Sequence, residues 1–319
     1  MLAVETRPRV LVLRALGLGD LLTVVPALRG IRSALPEHEL VLATGAALRP
    51  LAELTGAVDT VLPARGLDPL AGPAGAVDVA VNLHGRGPQS HAVLLARAPG
   101  RLIGFGADGV PGPAWRAEEH EVARWCRLVT EGLGTPCHPD DLSLARPGCA
   151  ASVPGAVVVH PGAASGSRRW PVSRFAAVAA RLSRAGLPVV VTGSAAELPL
   201  ARAVAAAAEL GTDGVLAGRT SLTELAALVA DARLVICGDT GMAHLATAYG
   251  TPSIVLFGPV SPALWGPPKR PQHVVLWRGD GRGEPHADQV DPALLAIEVP
   301  EVLTAVERLR HCTFWVGGD

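Results

Sequence analysis

The sequence has almost no lysine: Lys269 is the only one, and the other basic residues are arginines. We attribute this bias to genome composition, because Ala, Gly, Pro and Val are also abundant. The net charge is -1, so there is no excess of positive charge that would attract nucleic acid or an acidic membrane surface. We therefore expect no nucleic-acid partner.

Paired cysteines are also missing. The five cysteines are odd in number, are scattered and never form a Cys-x-x-Cys pair: Cys126, Cys137, Cys149, Cys237 and Cys312. This pattern argues against a disulfide framework and a structural zinc site, and it favours a reducing compartment. The first seven residues show no basic-then-apolar signal pattern. We therefore expect a cytoplasmic protein.

Long uninterrupted apolar runs are absent as well. Residues 240–268 contain no Asp, Glu, Lys or Arg, but five prolines and four glycines interrupt them. Proline breaks a helix interior, so a membrane-spanning helix is not expected here. No cationic amphipathic helix stands out elsewhere. We expect at most peripheral contact with the inner face of a membrane.

What the chain does contain is a regular alternation of β-branched runs with Ala- and Leu-rich helical stretches, which predicts parallel sheets covered by helices. The expected strands are 10–13, 39–43, 60–62, 77–82, 156–160, 189–192, 234–237 and 253–257. The expected helices are 21–34, 47–55, 89–97, 118–131, 172–185, 197–210, 222–230 and 240–248.

A chain of 319 residues has the length of about two domains. A polar, Pro- and Gly-rich break at residues 135–155 separates two sets of strands, so we expect domains at 1–150 and 151–319. A last helix at about 300–311 is placed to cross back onto the first domain. Two doubly wound sheets leave a cleft at the carboxyl ends of their strands.

The segment 238–244, Gly-Asp-Thr-Gly-Met-Ala-His, follows an apolar run and predicts a strand, a tight turn capped by Asp239 and a short helix. Free N–H groups and the positive helix end there favour an anion, and we expect a phosphate. Thr240 and His244 are four residues apart and share a helix face. His244 is either a core histidine or part of the anion site, and we prefer the second interpretation.

A second cluster lies at residues 160–171. Small residues such as Gly162 and Ala163 let the backbone approach a ligand closely. The adjacent Arg168 and Arg169 cannot easily both be buried structural residues, and a bidentate arginine suits phosphate oxygens. The alternative interpretation is a solvated basic turn.

Two carboxylates stand at expected helix starts. Asp20 follows the first strand, and Leu22 stands where a dinucleotide fingerprint counted from Gly19 needs glycine. Asp20 is either a helix N-cap or a group that takes a proton from a hydroxyl. Glu197 is either favoured by the helix dipole or binds ribose hydroxyls, and the residues favour neither interpretation over the other.

These four clusters, in this order, resemble glycosyltransferase family 9, the ADP-heptose:lipopolysaccharide heptosyltransferases. The resemblance covers essentially the whole chain, through GLGD, HPGA followed by RRWP, TGSAAE, and GDTGMAHLA followed by GTPSIVLFG. It implies an α/β GT-B fold of two Rossmann-like domains that face a cleft, with an acceptor-binding first domain and a nucleotide-sugar-binding second domain. It also implies inverting transfer of a heptose from an ADP-sugar substrate, with no metal and no cofactor.

The resemblance assigns roles residue by residue. Asp20 matches the catalytic base, Glu197 matches a position associated with ribose, and Arg168 matches a position where relatives usually have a lysine on the diphosphate. The implied donor-binding residues are Gly162, Ala163, Arg168, Glu197, Asp239, Thr240, Gly241 and His244. The acceptor-side residues are Arg14, Gly19 and His84.

Other functions stay open at this stage. They are a transferase for another nucleotide sugar, a GT-B-type nucleotide-sugar epimerase, and a nucleotide-sugar-binding protein without turnover. The broken glycine fingerprint argues against a dehydrogenase that uses NAD. No motif identifies the acceptor, which is expected to be a saccharide, a glycolipid or a natural product.

Overall fold

The computed structural model describes residues 7–72 and 76–311. It divides the chain into two compact units with the boundary between Ala145 and Arg146, where the sequence predicts a boundary at residue 150. Each unit contains a parallel sheet with helices around it, which confirms the expected α/β class. Four of the cysteines are free thiols, and Cys312 lies outside the described residues.

The sheet of the first unit has the strand order β3-β2-β1-β4-β5, and its paired strands are parallel. Its strands are β1 (Arg9–Leu13), β2 (Glu39–Thr44), β3 (Thr60–Pro63), β4 (Val79–Asn82) and β5 (Arg101–Ile103). Its helices are α1 (Leu18–Thr23), α2 (Val25–Ala34), α3 (Arg49–Leu54), α4 (Gln89–Leu95) and α5 (Glu121–Leu133). The central strand β1 is almost fully buried because it has a neighbour on each side.

The sheet of the second unit has the order β10-β9-β8-β6-β7 and is also parallel. Its strands are β6 (Val157–His160), β7 (Val189–Val191), β8 (Leu234–Gly238), β9 (Ser253–Phe257) and β10 (His273–Trp277). Its helices are α6 (Val172–Arg184), α7 (Leu198–Ala207), α8 (Leu222–Ala230), α9 (Gly241–Tyr249), α10 (Pro262–Trp265), α11 (Pro292–Leu295) and α12 (Val299–Arg310).

The strongest sequence patterns are found where they were expected. Phe175, Val178, Ala179 and Leu182 form the buried face of α6. Trp170, just before this helix, is buried; its ring meets Phe175 edge-on at 5.1 Å, and its Nε1–H donates to the Ile297 carbonyl at 3.0 Å. The reciprocal cap of α8 is also present: the Ser221 N–H donates to Glu224, and the Glu224 N–H donates back to the Ser221 hydroxyl.

Some elements differ from the expectation. The expected helix 21–34 is two helices, α1 and α2, with Val24 between them. The break follows from Pro26, which lacks an N–H and crowds the carbonyl four residues earlier. Strands β5 and β10 were not expected. Both lie at a sheet edge. Strand β5 has only three residues, whereas β10 is the apolar run His-Val-Val-Leu-Trp, which the expected strands did not include.

The end of the second unit is anchored by α12. Val302, Ala305, Val306 and Leu309 enter the same core as the buried face of α6. The buried face of this last helix therefore belongs to the second unit.

The uncharged stretch 240–268 folds into α9, β9 and α10. Within the two described ranges, no helix combines the length and the apolar character needed to cross a membrane.

Candidate functional site

Arg14, the first residue after β1, is 1% exposed. Its Nη1–H donates to the Leu83 carbonyl at 2.6 Å, and its Nε–H donates to the Asp20 carbonyl at 3.0 Å. Its Nη2–H donates to Asp20 Oδ1 at 3.1 Å. The resemblance places Arg14 on the acceptor side, and the structure shows that it holds both the backbone carbonyl and the carboxylate of Asp20.

Asp20 does not cap α1, so the N-cap, one of the two interpretations of this residue, is wrong. The cap is Gly17, because α1 begins at Leu18, and Asp20 is the third helical residue. Its Oδ2 accepts a hydrogen bond from the Gly17 N–H at 3.1 Å, as side chains at this position often do. The Asp20 side chain remains 29% exposed. Gly19, in the same helical turn, is partly exposed.

His84 lies beside this pair, after β4. Its Nδ1 accepts from the Ala15 N–H at 3.2 Å, and its own N–H donates to Asn82 Oδ1 at 3.0 Å. Burial and the Arg14 charge lower the pKa of His84, while Asp20 opposes the shift. The imidazole is therefore neutral near pH 7, with its proton on Nε2. The three residues Arg14, Asp20 and His84 come together at the carboxyl ends of β1 and β4.

Sequence reasoning missed Glu121, the first residue of α5. Its side chain is 5% exposed, and its Oε1 accepts from Arg14 Nη2 at 3.0 Å. Its Oε2 pairs with Arg124. The sequence offers no local signal for this contact, because 107 residues separate Glu121 from Arg14.

In the second unit, Thr240 rather than Asp239 caps α9. The Thr240 hydroxyl accepts from the Met242 N–H at 3.3 Å, so the expected cap at Asp239 was wrong. Asp239 instead turns inward after β8, where its side chain is only 9% exposed and its Oδ2 lies 3.6 Å from Arg168 Nη1. The cap and the carboxylate are thus two different groups at the start of one helix.

Arg168 and Asp239 form a pair of unequal exposure. The Arg168 side chain is 21% exposed, and its Nε–H donates to the Ser165 hydroxyl at 3.4 Å. Burial raises the pKa of Asp239, and the Arg168 charge acts against that rise. Arg168 therefore neutralises a buried carboxylate and still presents part of its charge to solvent.

Arg169 has a different role from its neighbour. Its Nε–H and Nη2–H both donate to the Ala163 carbonyl, at 2.9 and 2.8 Å. This fork holds the loop between β6 and α6 in a closed turn. The two adjacent arginines thus have different roles.

Two glycines let this loop pack tightly. A Cβ on Gly162 would collide with Glu197 Oε1, and a Cβ on Gly166 would collide with the Asp288 carbonyl. The Ser167 N–H donates to the Ala287 carbonyl at 2.9 Å. The segment before α11 therefore lies directly against the arginine loop.

Glu197 caps the start of a helix and also faces the loop between β6 and α6. Its Oε2 accepts from both the N–H and the hydroxyl of Ser194, each at 2.8 Å. Its Oε1 approaches Gly162. His160 lies nearby, with its Nδ1 3.0 Å from the Thr192 hydroxyl. Burial lowers the pKa of His160, and Glu197 opposes this shift.

His244 and Gly241 lie on α9. Gly241 is the first helical residue. His244 is partly buried, and its ring centre lies 6.0 Å from that of Trp265 in α10. His244 thus shares its helix with the capped end and meets an aromatic ring.

The second unit therefore gathers Arg168, Asp239 and the N-terminus of α9 at the carboxyl ends of β6 and β8. A guanidinium beside a helix N-terminus suits a phosphate or diphosphate. Glu197, after β7, adds an acceptor of the kind that binds sugar hydroxyls. Within residues 7–72 and 76–311, no group of three or more His, Cys, Asp or Glu side chains is arranged to hold a metal ion.

The sequence profile of glycosyltransferase family 9 (heptosyltransferase) matches residues 113–291. Lipopolysaccharide heptosyltransferase 3 of Escherichia coli is 34% identical over 158 residues, which is 48% of this chain and 46% of the relative. Lipopolysaccharide heptosyltransferase 1 of Pseudomonas aeruginosa is 34% identical over 154 residues, which is 46% of this chain and 42% of the relative. The match therefore spans less than half the length of these relatives.

A solved structure has the same fold over nearly the whole chain. The structure of Escherichia coli ADP-heptose lps heptosyltransferase II has a TM-score of 0.76 and 20% sequence identity. The alignment covers 94% of this chain and 98% of that one. Together with the two parallel sheets, this likeness confirms the expected GT-B fold class.

The Arg168–Asp239 pair predicts a pH-dependent loss of stability. In Arg168→Ala, the Asp239 carboxyl loses its cation, so its pKa rises further above the unfolded value. The folded variant then binds a proton more tightly than the unfolded chain, and stability falls as pH rises. We expect a loss of about 2–3 kcal/mol at pH 7, below the cost for a fully buried pair because Arg168 is partly exposed. At pH 5 the loss should be smaller.

Urea denaturation at pH 5 and pH 7 measures this difference. The matched control is Arg169→Ala, which removes a cation from the same loop but breaks bonds to a neutral carbonyl. Its cost should be the same at both pH values. An Arg168→Ala cost that does not change with pH would contradict the assignment.

Proposed function

The chain belongs to glycosyltransferase family 9 (heptosyltransferase), whose profile covers more than half of it, and from this premise we propose its reaction. The protein transfers a heptose or a related sugar from an ADP-sugar to a hydroxyl group of a saccharide or glycolipid. Transfer inverts the anomeric configuration and needs neither a metal nor a cofactor. The donor is a substrate.

The observation that carries the proposal is the placement of Arg168 beside the capped N-terminus of α9. Both groups favour negative charge, and Arg168 presents a partly exposed guanidinium. We propose that the diphosphate of the donor binds there, with Gly162, Ala163, Thr240, Gly241 and His244 around it. The named neighbour from Escherichia coli is an ADP-heptose enzyme, which supports ADP as the nucleotide.

Glu197 is proposed to bind the ribose. Its Oε2 is held by Ser194, which orients the carboxylate, and its Oε1 faces the loop at Gly162. Ribose hydroxyls are donors that a carboxylate oxygen accepts. The same side chain thus caps a short helix and recognises the nucleotide.

Asp20 is proposed as the catalytic base, with His84 and Gly19 on the acceptor side. Its carboxylate is fixed by Arg14 and the Gly17 N–H and remains partly exposed. Asp20 takes the proton of the acceptor hydroxyl as the oxygen forms a bond to the anomeric carbon. The bond from that carbon to the diphosphate breaks, and ADP leaves with the electron pair. Attack opposite the leaving group inverts the configuration.

Charge on the departing diphosphate is proposed to be stabilised by Arg168 and the N–H groups of α9. Positioned donors of this kind act where charge develops, and the loss of one typically slows a reaction roughly 100- to 1,000-fold. These groups supply the positive potential that a metal ion supplies in other transferases. Metal independence is thus part of the proposal.

The test of the reaction compares donors. The full chain is incubated with ADP-heptose, with UDP-sugars or with GDP-sugars, each with and without lipopolysaccharide that lacks heptose. We expect acceptor-dependent release of ADP and a product heavier by one heptose by mass spectrometry. Release of UDP or GDP instead would overturn the donor assignment. Binding without release would show a nucleotide-sugar-binding protein.

Asp20→Asn should abolish transfer without weakening ADP binding. The amide keeps the shape of the side chain but accepts a proton poorly, and a general base contributes roughly 100- to 10,000-fold in rate. Transfer rate and the ADP dissociation constant by calorimetry are the measurements. Asp78→Asn, an aspartate that accepts from the Arg9 N–H in the same unit, is the control and should transfer normally. Normal turnover by Asp20→Asn would refute its role as the base.

Arg168→Ala should weaken ADP binding. A charge-assisted hydrogen bond contributes about 1.5–3 kcal/mol, which corresponds to a roughly 10- to 100-fold rise in the dissociation constant. Arg184→Ala removes the same charge from an exposed pair with Glu209 and should leave the affinity unchanged. The contact is wrong if Arg168→Ala binds ADP as tightly as the parent chain.

A further inference from the structure

We infer that Glu121 is a positioning residue that acts on Asp20 through Arg14. The inference rests on the proposed function, because it takes Asp20 to be the base. Glu121 belongs to none of the motifs by which the sequence resembles its family. It begins α5 and is buried at the carboxyl end of β1, where it reaches the guanidinium that holds Asp20.

One nitrogen of Arg14 is shared between the two carboxylates. Arg14 Nη2 lies 3.1 Å from Asp20 Oδ1 and 3.0 Å from Glu121 Oε1. Its two hydrogens suffice for these two acceptors, and the Thr23 hydroxyl lies further away at 3.3 Å. Because Glu121 accepts the second hydrogen of Nη2, it fixes the orientation of the guanidinium plane. The N–H group that donates to Asp20 is thereby oriented as well.

The remaining donors of Arg14 are directed at backbone carbonyls. Nη1 is bonded to Leu83 and Nε to Asp20 itself. The guanidinium thus has its position set by β1, by the residue after β4 and by α1. Glu121 adds a contact from α5. Through Arg14, this contact connects α5 to Asp20, the proposed base.

Glu121 is itself held in place from its own helix. Trp125 Nε1–H donates to Glu121 Oε1 at 2.7 Å, and Arg124 pairs with Oε2. The Trp125 ring also lies under the Arg14 guanidinium, 4.8 Å from its carbon. Because Glu121 is held on both oxygens, it can restrain Arg14 rather than follow it.

The charges around Asp20 explain why a carboxylate stands at position 121. Arg14 is bonded to Asp20, and His84 after β4 is influenced by the Asp20 charge. Glu121 lies on the other side of Arg14 and is paired with Arg124. Without Glu121, the full charge of Arg14 would act on Asp20 and favour its ionised form. A carboxylate stabilised in that way takes a proton less readily. Glu121 offsets part of the Arg14 charge.

The experiment uses the full chain with Glu121→Gln, ADP-heptose and lipopolysaccharide that lacks heptose. We expect kcat to fall about 10- to 100-fold, the range that a small misplacement of a catalytic group produces. The KM for the donor should not change. The acid limb of the kcat profile should move to lower pH, which a purely structural defect would not cause.

Glu119→Gln is the matched control. Glu119 lies two residues away, and its Oε2 pairs with Arg127 at 2.7 Å. The substitution removes one negative charge close to the same helix start, but this charge is paired with Arg127 and not with Arg14. The kcat and the pH profile should therefore match those of the parent chain. Trp125→Phe removes the donor to Glu121 but keeps every charge, and it should give a smaller loss in the same direction. It also tests the inference if Glu121→Gln does not fold.

A titration separates failure of this inference from failure of the proposed function. His84 senses Arg14, so Glu121→Gln should lower the pKa of His84 further, as followed by NMR without any substrate. Glu119→Gln should leave it unchanged. If the parent chain transfers no sugar, the proposed function fails and the titration still tests the coupling. An unchanged His84 pKa in Glu121→Gln, or a loss confined to KM, would overturn the inference.

Discussion

The buried guanidinium of Arg14 is the constraint around which the first unit is arranged. A cation that is 1% exposed must be neutralised and fully hydrogen-bonded, because its removal from water is costly. The fold meets this need with two carbonyls and two carboxylates, drawn from α1, α5 and the residue after β4. Of the two carboxylates, only Asp20 is partly exposed. The same bonds that satisfy Arg14 thus leave one oriented carboxylate at the surface.

In the second unit the signs of the buried and the exposed group are reversed. There the buried group is the Asp239 carboxylate, and its partner Arg168 is the partly exposed one. In each unit a buried charge, Arg14 or Asp239, is therefore paired with a partly exposed group of opposite charge, Asp20 or Arg168, at the carboxyl ends of the strands. A surface carboxylate suits the acceptance of a proton, and a surface guanidinium beside a helix N-terminus suits a phosphate. The signs of the two exposed groups match the roles proposed for them.

The sequence predicts local structure well and distant partners poorly. The face of α6 and the reciprocal cap of α8 are visible because their residues lie three or four positions apart. The cap of α9 was assigned to Asp239 instead of Thr240, and the N-cap interpretation of Asp20 was wrong as well, because an acidic residue near a helix start fits several positions in the first turn. Glu121 was missed because its contact with Arg14 arises only when the fold brings the start of α5 to the end of β1. Such pairings depend on topology, which no local pattern contains.

The loop between β6 and α6 shows that the role of Arg168 depends on its neighbours as well as on its charge. The resemblance implies that most relatives have a lysine at the position of Arg168, and lysine presents a single point of charge. Here the guanidinium uses two nitrogens, Nη1 towards Asp239 and Nε towards Ser165. Arg169 braces the turn through the Ala163 carbonyl, so Arg168 is held on a rigid loop. Arg168 therefore meets its two partners through two different nitrogens, whereas a lysine at position 168 would keep the charge but place all its donors on one nitrogen.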